Sequence, residues 1–153
     1  MAGRPPWLAR ARERALELLV RVGLASYAGA LPEVLSGGMR QRAALARTLM
    51  ESRPIVLMDE PFSALDAITR HRLQDLAAEL LKGRTVVLVT HSPLEALRVG
   101  HDLYVMGGRP AALTGPLRPP GAPPRDAANT DLLELQGRLL DQLAASAAAV
   151  GAL

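Results

Sequence analysis

Cysteine is absent from the 153 residues, which excludes disulfides and thiolate metal sites and accords with a reducing compartment. Aromatic residues make up only 3% (Trp7, Tyr27, Phe62 and Tyr104), so Leu, Val and Ala must fill the interior. Lys82 is the only lysine, and the formal charge of +3 rests on arginines scattered along the chain. With neither a basic block nor stacking aromatics, nucleic acid is not an expected partner. No run reaches the ~18 apolar residues that a membrane-spanning helix requires. The start, Met1-Ala2-Gly3-Arg4-Pro5-Pro6, lacks the apolar core of a signal peptide. A soluble, intracellular chain is the expectation. An apolar content of 49% and a mean hydropathy of +0.13 suit a globular chain of ordinary domain size.

Periodicity predicts a helix over residues 8–22, with Leu8, Ala11, Ala15, Leu18, Leu19 and Val22 on one face and Gly23 as its stop. A second helix is expected from Ser36 to Glu51, since Ser36 suits an N-cap and Ala43 to Leu49 are strong helix formers. Pro54 ends that region, and Ile55-Val56-Leu57-Met58 suits a strand buried on both faces, as in a parallel sheet. A third helix over 67–81 leads through Gly83 to a second buried strand, Thr85 to Thr90, rich in β-branched residues. A short helix from Pro93 to Val99 follows. Leu103 to Met106 and Pro110 to Leu113 then suit a hairpin over Gly107-Gly108. Gly115 to Pro124 reads as a Pro/Gly-rich strap without internal hydrogen bonds. A last amphipathic helix is expected over 130–149, fraying at its Ala-rich end. Strands alternating with helices imply an α/β fold with right-handed crossovers.

Asp59 and Glu60 stand at the carboxyl end of an apolar strand, where open α/β sheets place their ligand crevice. One carboxylate there can hold Mg²⁺, largely through water. Its neighbour can take the proton of a water attacking a phosphoryl group. Two solvated acids at a strand end are the bland alternative. Ser36-Gly37-Gly38 opens a helix, and glycines at a helix N-terminus bring free N–H groups and partial positive charge to an anion. An ordinary serine cap in a flexible loop is the alternative there. His91 follows the second strand, level with the two acids if the strands run as parallel neighbours. His71 and His101 have no such company.

Together these segments resemble the ATP-binding cassette (ABC) transporter ATPases. Leu35 to Arg42 (LSGGMRQR) resembles their signature motif, Ile55 to Pro61 (IVLMDEP) their Walker B strand, Ser63 to Asp66 (SALD) their D-loop, and Val89 to His91 (VTH) their switch histidine. The four occur in the family's order over residues 35–92. The resemblance implies a partial P-loop NTPase-like parallel sheet flanked by helices, with part of the helical subdomain at the N-terminus. Its divisions would be residues 1–52 (helical signature subdomain), 53–114 (C-terminal part of the ATPase core), 115–128 (linker) and 129–153 (C-terminal helix). By the same resemblance, Ser36, Gly37, Gly38 and Gln41 would contact ATP bound to an opposite subunit. Asp59 would serve Mg²⁺, Glu60 would be the general base, His91 would sense the γ-phosphate, and Asp66 would couple the two sites. Implied partners are a second ATPase subunit, transmembrane permease subunits and, indirectly, an external binding protein, at the cytoplasmic face of the membrane. The surroundings of Pro61 and Pro93 look most like importers of the nitrate, sulfonate, taurine and thiamine-precursor group.

The family's phosphate-cradling loop, G-x-x-x-x-G-K-S/T, does not occur in the 153 residues. Without its N–H groups and lysine the nucleotide's phosphates lack their main electrostatic partner. The 153 residues alone are therefore expected to neither bind ATP tightly nor hydrolyse it. Truncation is the expected origin of that gap, ahead of a split subunit or degeneracy. The competing reading is a non-catalytic interaction partner that lends its Ser36-Gly37-Gly38 face to a complete ATPase subunit. Chromosome-maintenance ATPases share the signature and Walker B, but the long heptad arrays of that class are absent here.

Overall fold

A computed structural model of the chain describes residues 6–151. The backbone divides into two compact units at Val87/Leu88.

The first unit opens with α1 (Pro6–Arg21), which packs on α2 (Gly37–Met50). Gly23, at φ 72°, ends α1. The Leu24 N–H donates to the Leu19 carbonyl at 2.7 Å and the Gly23 N–H to the Val20 carbonyl at 3.0 Å. This is the paired closure that satisfies the last carbonyls of a helix around a left-handed glycine. Arg42 of α2 donates to the Val22 and Gly23 carbonyls at 3.1 and 3.2 Å, so the two helices are joined at that end. Ser36 caps α2 as expected, its Oγ accepting from the Met39 N–H at 3.3 Å. The buried side chains of this unit include Leu18, Val22, Leu45, Leu49, Val56, Met58, Phe62 and Leu73.

β1 (Ile55–Asp59) and β2 (Thr85–Val89) are neighbours, joined through α3 (Ala67–Leu80). The Thr85 N–H, at the start of β2, donates to the Pro54 carbonyl just ahead of β1 at 2.9 Å. The two strands therefore begin level and run parallel, as the α/β reading requires. Their burial departs from expectation. Val56 and Met58 are buried while Ile55 and Leu57 are 61% and 74% exposed, and Val87 and Val89 lie open. β1 alternates buried and exposed residues, as a strand covered on one face does, while β2 has no buried residue, so neither apolar run marks a strand enclosed on both sides.

In the second unit, α4 (Pro93–Val99) precedes an antiparallel hairpin of β3 (Leu103–Gly107) and β4 (Ala112–Leu117). β4 begins later than expected and takes in Gly115 and Pro116, which were read as strap. α5 (Thr130–Gly151) keeps its helical form through the Ala-rich stretch, where fraying was expected. Leu97, Leu103, Leu132 and Leu139 form the core of this unit.

The remainder of the strap is not free of hydrogen bonds. The Arg125 side chain, 7% exposed, donates to the Pro119, Pro120 and Gly121 carbonyls of the strap. It also donates to the Leu97 and Gly100 carbonyls at the end of α4. Burial holds its pKa below the usual arginine value.

Candidate functional site

The turn from Glu60 to Asp66 is the most elaborately held segment of the first unit. It leaves β1 with Glu60 at φ 47°, a left-handed backbone that costs a non-glycine residue about 1–3 kcal/mol. The following proline disfavours helical values there as well. Several contacts hold this geometry. The Glu60 carbonyl accepts from Gln41 Nε2 at 2.6 Å, from Ser63 Oγ at 3.1 Å and from the Ser63 N–H at 3.4 Å. Gln41 Nε2 also donates to Ser63 Oγ at 3.1 Å, and Gln41 Oε1 accepts from the Ala64 N–H at 2.8 Å. A carbonyl can only accept and a backbone N–H can only donate, so the amide orientation is forced. Phe62 is 1% exposed and anchors the turn in the core. From the other side, Arg70 of α3 donates to the Phe62 and Leu65 carbonyls at 3.2 and 2.6 Å.

Against this turn lies the start of α2. A Cβ on Gly38 would meet the Ala64 carbonyl oxygen at 3.1 Å, so the close approach of helix and turn favours glycine there. Ser36 and Gly37 are exposed. The Met39 N–H goes to Ser36 Oγ and the Arg40 N–H to the Ser36 carbonyl. The Gly37 and Gly38 N–H groups are first-turn donors that no intrahelical carbonyl can reach.

Asp66 caps α3, its Oδ1 accepting from the Thr69 N–H at 3.0 Å. That hydrogen bond holds its carboxyl below the usual aspartate value. Asp59 ends β1 and is exposed. Among the described residues no group of three or more His, Cys, Asp or Glu side chains could hold a metal. A single strand-end carboxylate still fits Mg²⁺, which keeps much of its water and takes one or two carboxylates with phosphate oxygens.

The structure thus gathers Ser36, Gly37, Gly38, Gln41, Glu60 and Asp66 around one helix start and one turn. His91 belongs to the second unit, in the link between β2 and α4, and is exposed. In that link the Thr90 hydroxyl accepts from the Ser92 N–H, and Ser92 caps α4. Sequence reasoning missed the clamping by Arg70 and the internal hydrogen bonds of Gln41. Neither has a local signature beyond a polar residue on a helix.

A glycine-opened helix start is set against an acid-bearing turn at a strand's carboxyl end, so free first-turn N–H groups and a carboxylate-bearing turn share one assembly. Residues 7–63 match the family model described as ABC transporter. An uncharacterised ABC transporter ATP-binding protein of Haemophilus influenzae is 48% identical over 134 residues, 86% of this chain and 56% of that protein. The aliphatic sulfonates import ATP-binding protein SsuB 1 of Pseudomonas aeruginosa is 45% identical over 128 residues, 82% of this chain and 51% of the relative. SsuB 1 of Rhodococcus jostii is 46% identical over 134 residues, 86% of this chain and 54% of that one. The chain spans about half the length of the curated relatives it matches. Among solved structures, an ABC transporter in an inward-facing conformation aligns with a TM-score of 0.57 at 24% identity, over 74% of this chain and 45% of that one. The ADP form of an ATP-binding cassette, MJ1267, aligns with a TM-score of 0.52 at 23% identity, over 69% of this chain and 41% of that one. These two likenesses concern the fold alone. The chain belongs to the ABC transporter ATPase family.

Proposed function

We propose that this chain forms the signature- and Walker B-bearing part of an ATPase subunit that drives solute import. The observation carrying the reading is the contact of the Ser36–Gly38 helix start with the Glu60–Asp66 turn through Gly38 and Gln41. The first supplies N–H groups for the phosphate of a nucleotide held by a second subunit and the second supplies an acid for the attacking water, so one rigid assembly links the two sites of a dimer.

In this reading Ser36, Gly37 and Gly38 face the γ-phosphate of ATP held by a second subunit. Glu60 takes the proton of the attacking water, and His91 holds a phosphate oxygen or the water in place. Asp66 couples the two sites, and Asp59 would hold Mg²⁺, which supplies charge neutralisation on the phosphates. The helical subdomain near residues 8–50 forms the surface for the permease subunits, which place the chain at the cytoplasmic face of the membrane. The C-terminal part of the ATPase core begins at residue 53, and a linker beyond β4 leads to the C-terminal helix α5. The external binding protein is an indirect partner, and nucleic acid is not one. The sulfonate-import relatives favour a small anionic solute of that kind. No helix among the described residues is long and apolar enough to cross a membrane, in keeping with a subunit that docks on a permease.

The test joins the N-terminal half of the Pseudomonas aeruginosa relative, which must carry the phosphate loop, ahead of this chain. The 153 residues alone should show no ATP turnover, whereas the chimera should hydrolyse ATP and lose about 10²–10⁴ in rate on Glu60→Gln. Turnover indifferent to Glu60 refutes the assignment. The exposure of Ser36 and Gly37 also suits the alternative of a non-catalytic partner lending this face in trans. A stable heterodimer of the unmodified chain with the complete relative, active only with Ser36–Gly38 intact, would favour that alternative.

A further inference from the structure

Gln41 belongs to the stretch that resembles a nucleotide-contacting motif, yet its amide faces inward. Both Nε2 hydrogens and the Oε1 atom are engaged by three residues of one turn: the Glu60 carbonyl, Ser63 Oγ and the Ala64 N–H, at 2.6, 3.1 and 2.8 Å. The shortest of the three falls on the peptide group of the residue with the unusual backbone, Glu60 at φ 47°. A residue before proline has little intrinsic reason to adopt that conformation, so contacts must hold it; Ser63 supplies two longer ones from within the turn and Gln41 the shortest, from α2. Gln41 is half-buried on α2, five residues beyond Ser36 and on the same rigid helix.

We propose that Gln41 is a positioning residue that acts through Glu60. Its amide bolts the Glu60–Ala64 turn to α2, holds the Glu60 backbone left-handed and thereby directs the Glu60 carboxylate. The helix start that faces a phosphate and the acid that serves the attacking water then move as one piece. The catalytic consequence rests on the ATPase reading above; the backbone consequence does not.

The test has two arms. In the ¹⁵N-labelled 153-residue chain, a left-handed Glu60 gives a strong intraresidue Hα–HN NOE, because those two protons lie closer together than in extended backbone. Gln41→Leu, which removes every polar contact, should abolish that NOE. Gln41→Glu retains the acceptor for the Ala64 N–H but removes both donors, and should abolish it while leaving the rest of the amide spectrum in place. In the chimera described above, both substitutions should lower kcat by about tenfold or more, a fraction of what general-base help supplies, with KM for ATP within about twofold. Persistence of the Glu60 NOE in both variants overturns the proposal. So does a rise in KM at constant kcat, which would instead mark Gln41 as a nucleotide contact. If Glu60→Gln leaves the chimera's turnover unchanged, the ATPase reading and the catalytic half of the proposal both fall. The NOE comparison still decides whether Gln41 sets the backbone.

Discussion

Replacing Arg125 by alanine removes one side chain and undoes the strap at both ends. The five N–H groups of the guanidinium make six contacts, all to backbone carbonyls at 2.7–3.1 Å, the Nε–H being shared between Pro120 and Gly121. Those to Leu97 and Pro119 are fully buried, and at ~1.5–3 kcal/mol for a bond from a charged donor their loss amounts to about 3–6 kcal/mol. Water can reach the other four bonds, which are half-buried and go to Gly100, Pro120 and Gly121, so they add little. Against this stands the relief of an ion held out of solvent, a cost whose sign is visible in the burial-driven fall of the Arg125 pKa. The net loss comes to about 2–4 kcal/mol, a large part of the ~5–15 kcal/mol that keeps a domain folded. Urea titration followed by far-UV circular dichroism measures it directly. Arg125→Lys should fall between wild type and alanine, because one ammonium has three donors and no planar fork to span the strap and α4 together. An alanine variant within about 0.5 kcal/mol of wild type would refute the idea that this side chain holds the strap.

Two smaller perturbations follow from geometry already described. Gly23→Ala should cost about 1–2 kcal/mol, since a left-handed backbone is unfavourable to L-residues. Its Cβ would also meet the Arg42 guanidinium at 3.0 Å; thermal unfolding should show the lower midpoint. Asp66 has a folded-state pKa below its unfolded value because it accepts from the Thr69 N–H. Its contribution to stability is therefore full above the ordinary aspartate pKa of about 3.9 and disappears as pH falls through the lower folded value. Asp66→Asn, which still caps the helix, should flatten that part of the urea midpoint against pH below about pH 4.

Much of the chain could be read without coordinates because the signals are local. Gly23 and Ser36 bound helices through contacts within five residues, and both behave as read. The order of helices and strands follows from periodicity and from Pro54 and Gly83 as breaks. The candidacy of Ser36–Gly38 and of the acids at the end of β1 as site residues follows from residue type and place in an α/β alternation. The burial of β1 and β2 is not legible in the sequence, because an unbroken apolar run looks the same whether both faces of a strand are covered, one face is, as in β1, or neither is closed over, as in β2. Val56 and Met58 face the core, whereas Ile55 and Leu57 differ from them in orientation, not in chemistry.

The amino-acid order alone therefore determined the α/β plan, the helix ends and the set of residues suited to a phosphate. Tertiary structure decided the work of Gln41 and Arg125. Their partners lie 19 residues away, at Glu60, and 28 residues away, at Leu97. A hydrogen bond across such a distance leaves no period or cap in the sequence. It exists only once packing has brought a donor and a carbonyl within 3 Å of each other.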